Sequence, residues 1–115
     1  MMQYQINAGE RCIGYTNLEN RDVGMGVYGG RFVPTKAYSE VQPVFQLYAQ
    51  AMAVQPADET LLAKFFTIRD ALSFTLWSTD GLLIRTTWIL IVDFTSVIPN
   101  DDLEISLQVV DIERV

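Results

Sequence analysis

The chain has 115 residues, half of them apolar, with fourteen acids, eight bases, no histidine and a single cysteine. That length fits one domain over residues 1–115 with a core of its own. The missing histidine excludes Ser-His-Asp and Cys-His nucleophile arrangements and His-based zinc sites, and one cysteine excludes thiolate clusters and an internal disulfide.

The net charge of −6 argues against broad binding to the phosphate backbone of nucleic acid and suits a basic protein partner. The amino-terminal segment lacks a basic stretch followed by an apolar one. The longest apolar run, Trp88 to Val92, is far shorter than the roughly 20 residues that span a bilayer. No membrane role and a cytoplasmic location are therefore the expectation.

In chain order, Tyr4 and Ile6 alternate with polar neighbours, Asn7-Ala8-Gly9-Glu10 is a turn signal, and Arg11 to Tyr15 is extended again. This predicts an amino-terminal β-hairpin. The polar stretch Leu18 to Asp22 is expected to leave the sheet. A glycine-rich segment follows, with short extended pieces around Val27-Tyr28 and Arg31-Phe32-Val33. Ser39 and Gln42 have capping-box spacing before an apolar face of Val41, Phe45, Tyr48, Ala49 and Met52, predicting a helix to about Ala53. Asp58 caps a second helix whose face carries Leu61, Phe65, Ile68 and Leu72.

At Ser73 the period switches to two, and Asp80-Gly81 signals a tight turn. Leu82 to Phe94 reads as one long strand, bent or interrupted near Arg85-Thr86-Thr87. Pro99 to Asp102 is another turn, and Leu103, Ile105, Leu107 and Val109 alternate as a half-buried strand. Strands in blocks predict an α+β fold: an antiparallel sheet, made of the amino-terminal hairpin plus a carboxy-terminal three-strand meander, with two helices packed on one face. The run Trp88 to Val92 is expected in a central strand. Since its residues cannot all face one way, Trp88, Ile89 and Ile91 are the candidate interface of a two-fold homodimer.

Gly24 to Gly29 spells G-x-G-x-x-G. A dinucleotide turn needs a buried strand before it and a helix opening at its end. Here polar Asn17 to Asp22 precede it, Gly30 to Pro34 follow, and Val44 and Phe45 stand where the ribose-binding acid belongs. The spacing is read as accidental, with at least one of Gly24, Gly26, Gly29 and Gly30 at positive φ. No cofactor and no metal site is expected.

Leu18-Glu19, Asp22, Met25-Gly26-Val27, Gly30, Phe32, Pro34 and Tyr38 form a pattern that resembles a family of small uncharacterised bacterial proteins. Arg69 to Leu72, Asp80-Gly81 and Asp93-Phe94 extend the similarity along the chain. The resemblance implies a bacterial origin and one compact domain, and it brings no functional residue.

Cys12 is read as a small buried hydrophobe. Asp93 is placed at a strand end reaching water, or, if inward, beside Arg85 or a backbone amide. No catalytic residue is assigned. The reading is a non-enzymatic protein-interaction domain of the kind that serves as a toxin-immunity protein. Its partner-binding acids are Glu19, Asp22, Asp101, Asp102 and Glu104. The alternative is a small carboxylate-based enzyme or small-ligand-binding domain.

Overall fold

A computed structural model describes residues 3–110. The α+β class is as expected: two helices and antiparallel pairing throughout. The strands divide between two sheets instead of joining one. Strands β1 (Tyr4–Ala8) and β2 (Arg11–Thr16) form the first hairpin, and Gly9, at φ 60, turns its two-residue loop. Edge strand β3 (Asn20–Asp22) pairs with β4 (Val27–Arg31), so the segment expected to leave the sheet forms part of one. Then follow β5 (Val33–Pro34), a 3-10 turn (Lys36–Glu40), α1 (Gln42–Met52) and α2 (Glu59–Ala71). The chain continues through β6 (Phe74–Ser78), β7 (Leu83–Ile84), β8 (Thr86–Val92) and β9 (Glu104–Val109).

One sheet has the order β5-β2-β1-β6-β7 and the other β3-β4-β9-β8. The reason is the break near Arg85. Ile84 still pairs with Leu76 of β6, whereas Thr86 already pairs with Val109 of β9, with an irregularity before Trp88. Bends and bulges of this kind let one strand serve two sheets. The carboxy-terminal meander is thereby cut, and the apolar run lies on edge strand β8 rather than on a central one. Three of the four edge strands are only two or three residues long, which limits edge-to-edge pairing.

The chain also crosses between sheets at Leu18 and Phe32. Leu18 is fully buried at φ 51, a conformation that costs a leucine roughly 1 kcal/mol or more. Burying its side chain, worth about 2 kcal/mol, offsets that strain. Phe32 donates its amide to Leu103 O at 2.9 Å and is itself buried. Inward residues of both sheets, including Ile6, Leu76, Ile84, Ile91, Ile105 and Leu107, meet in one core.

The helices close this core through aromatic contacts. Phe45 of α1 lies 5.9 Å from Phe65 of α2 and 5.2 Å from Phe74, and Tyr38 stacks on Phe45 at 6.4 Å. Asp58 caps α2 as expected, accepting from Thr60 N and Leu61 N at 3.1 Å. The capping box before α1 does not form. Ser39 lies inside the 3-10 turn and donates to Lys36 O, while Val41 holds the cap position without a side-chain bond. Pro43 falls in the first turn, where its missing amide costs little.

The glycine motif is a β-hairpin turn: Gly24 to Gly26 link β3 to β4, strand to strand, with no helix. Gly26 is at φ 69, as the sequence demanded of one of these glycines. Its carbonyl accepts from Val109 N at 2.8 Å, which ties the turn to β9. Gly26→Ala is expected to destabilise the fold by about 1 kcal/mol, read as a lower midpoint of urea unfolding. An unchanged midpoint would reject the conformational role.

Candidate functional site

Four of the five acids singled out in the sequence gather around Arg31, at one end of β4. Register places Glu104 of β9 opposite Arg31. Glu19 reaches over from the approach to β3, and its Oε2 accepts the Arg31 amide at 3.0 Å. Gly30 makes room for this. A Cβ there would lie 2.9 Å from the Glu19 carboxyl carbon and 3.0 Å from its backbone nitrogen. Asp102 stands 3.8 Å from the Arg31 guanidinium, with both side chains largely in water.

Two shallow depressions flank the arginine. One, about 330 Å³, lies over Asn20, Gly29 and Glu104, and the other, about 290 Å³, lies over Phe32, Pro34 and Asp101. Glu19, Asp101, Asp102 and Glu104 are exposed, so four carboxylates outnumber one guanidinium on this rim. Each exposed pair contributes only about 0–1 kcal/mol to stability. The rim therefore costs the fold little to keep and projects negative potential outward.

Asp22 does not join this rim. It sits at the opposite end of the β3–β4 hairpin, where Oδ1 accepts Met25 N at 3.2 Å and shapes the turn.

The dimer residues also change. Ile89 and Ile91 are 3% and 0% exposed and point into the core of a single chain, so they present no surface to a second copy. The outward side of β8 carries Trp88, Leu90 and Val92, which the monomer already half-buries.

The carboxylate that sequence reasoning misplaced is Asp93. It is 1% exposed and points inward at the end of β8. Its partners are neither Arg85 nor a main-chain amide alone. Oδ2 accepts Tyr38 Oη at 2.7 Å and Gln42 Nε2 at 3.1 Å. Oδ1 accepts Thr95 N at 3.0 Å and Thr95 Oγ1 at 2.5 Å. Burial pushes the Asp93 pKa up, but bonds from the Thr95 hydroxyl, Tyr38, the Thr95 amide and Gln42 outweigh it, and the net shift is downward. Burial, and then Asp93, raises the Tyr38 phenol far above its ordinary range.

A carboxylate has about four acceptor positions, and all four are filled here. Asp93 is thus a clasp between the 3-10 turn, α1 and β8, with no lone pair to serve as a base. The signal in the sequence was the Asp-x-Thr spacing, in which the threonine can bond back to the aspartate.

Cys12 is half-buried, and its thiol donates to Gly14 O at 3.6 Å. Its hydrogen bond and charge raise the pKa of the neighbouring Tyr15 phenol. Among the described residues no group of three metal-ligating side chains converges, and no helix is long and apolar enough to cross a membrane. Comparison with family models, with curated proteins and with solved structures gave no match.

Proposed function

We propose that the chain is a non-enzymatic protein-interaction domain that binds a basic partner through the rim around Arg31. A bacterial, cytoplasmic immunity protein that blocks a toxin is the biological role this reading favours. The observation that carries it is the meeting of Glu19 with Asp101, Asp102 and Glu104, which come from a turn far along the chain, around Arg31 at one exposed end of the β4–β9 pair. The filled acceptor positions of Asp93 support the same reading, because they leave the one buried carboxylate among the described residues nothing to catalyse with.

An acidic rim raises the association rate with a basic surface, and the effect is screened beyond about 8–10 Å at ordinary salt. The test begins with affinity capture from the native cell and mass spectrometry of the captured protein. Stopped-flow association with that partner is then measured at low and high salt. The double variant Asp101→Lys, Asp102→Lys is expected to associate about tenfold or more slowly at low salt, with the gap closing as salt rises. Far-ultraviolet circular dichroism should be unchanged. An on-rate insensitive to both salt and charge reversal would leave the acidic rim as a solubility feature.

A further inference from the structure

The outer face of the five-stranded sheet carries an ordered row of side chains. Strand pairing places Val33, Tyr15, Gln5, Trp77 and Leu83 side by side across all five strands. The next row along the strands contains Cys12, Asn7 and Thr75. Their inward neighbours Ile6, Leu76 and Ile84 fill the core. Val33 and Leu83, at the two ends, are 40% and 39% exposed.

Two residues of the first row lean toward the second. The Trp77 indole donates Nε1–H to Thr75 Oγ1 at 3.0 Å. Gln5 donates Nε2–H to Asn7 Oδ1 at 3.2 Å. β6 runs antiparallel to β1, so the Trp77 indole and the Gln5 amide are drawn the same way along the sheet. An indole tied two residues away along its own strand is drawn toward the sheet instead of standing off it. The Trp77 and Tyr15 side chains are both half-buried, so each ring is partly covered and partly open to solvent.

From this arrangement the geometry points to a binding platform for a neutral oligosaccharide, with Tyr15 and Trp77 stacking on sugar rings and the Gln5 and Asn7 amides between them bonding to hydroxyls. Tyr15 and Trp77 are two strands apart, about 10 Å, which is more than one sugar ring covers. The ligand is therefore a chain of at least two units.

Charge and area select this occupant. No residue of either row is charged, in a chain with twenty-two acids and bases, so a phosphate-bearing strand finds no cation among them. Four strand spacings by two rows give a face on the order of 200 Å². A stable protein interface needs about 800 Å² per partner, so a second copy of the chain is too large for it. Sugar hydroxyls meet the amides, and sugar C–H faces meet the rings.

The test is a titration of the full ¹⁵N-labelled chain with cellohexaose, maltohexaose and N-acetylchitohexaose, followed in ¹H–¹⁵N spectra. At least one of the three is expected to shift the Trp77 indole resonance saturably while Trp88, on the other sheet, stays put. Trp77→Ala and Tyr15→Ala should each weaken that sugar's binding at least tenfold, and Trp77→Phe, which keeps a ring, should weaken it less. The wild-type titration decides the question even if an alanine variant fails to fold. No shift with any of the three sugars would overturn the proposal. So would equal shifts at both tryptophans, a shift produced by oligothymidylate instead, or one produced by protein concentration alone. Val33, at one end of the row, borders the rim's depression, but Tyr15, Gln5 and Trp77 do not line it, so the acidic-rim reading stands or falls separately under charge reversal at Asp101 and Asp102.

Discussion

Asp93→Ala is expected to lower the unfolding free energy by about 3 kcal/mol or more. The substitution removes an acceptor of four hydrogen bonds and leaves the Tyr38 hydroxyl, in a residue 3% exposed, without its partner. It also frees the start of α1 from the end of β8. Asp93→Asn keeps one acceptor oxygen and should cost less.

The wild-type clasp has a pH signature with a definite sign. The folded pKa of Asp93 lies below its ordinary value of 3.8. Its contribution is therefore complete above the unfolded-state pKa and is lost as pH falls through the folded one. Tyr38 is shifted the other way, so its contribution holds below the ordinary phenol range and is lost as pH rises past about 10. Urea unfolding of wild type and Asp93→Asn from neutral to strongly acid pH measures this. The gap between the two proteins should narrow below about pH 4. A gap that stayed constant through the acid range would mean that the carboxylate charge does not contribute.

Gly14→Ala is expected to destabilise by about 2–3 kcal/mol through overpacking. Gly14, on β2, faces the core at the irregularity where Ile6 pairs with Gly14 and Asn7 with Cys12. An added Cβ would lie 2.5 Å from Phe32 Cε1, closer still to Cζ, and 2.7 Å from the Val33 carbonyl oxygen. The ring cannot swing away freely, because Phe32 is 2% exposed and packs edge-on against Tyr38 at 5.4 Å. The backbone oxygen belongs to β5, which is paired to β2 at this point. Gly9→Ala is the useful contrast. Gly9 has open space for a Cβ but sits at φ 60, so its cost is conformational and about 1 kcal/mol. Thermal or urea unfolding of both variants separates the two mechanisms. Equal small losses would show that the Phe32–Gly14 contact relaxes without cost.

Local signals in the sequence determined the local structure. Alternation marked β1, β2, β6 and β9, the 3.6-residue spacing marked both helices, and Asp58 fixed the start of α2. Gly26 took positive φ because a tight strand-to-strand turn asks for it. Even the interruption near Arg85 was legible, as polar residues inside an apolar run.

What that interruption does was not legible. Whether a bent strand returns to its own sheet or joins another depends on which edges lie open, and β4 and β1 offer theirs only after the chain has folded back. Pairing across sequence separations of this size is set by total burial, which no local window contains. The same limit governs the sites. The acids were recognisable as exposed turn residues, yet their grouping around Arg31, without Asp22, depends on the β4–β9 register. The row from Val33 to Leu83 joins five strands drawn from three separate stretches of chain. Asp93 turned inward because Tyr38 and Gln42, more than fifty residues earlier, could fill its acceptors once α1 came to lie against β8. Composition had shown which chemistries were missing, and tertiary structure decided where the remaining polar groups meet.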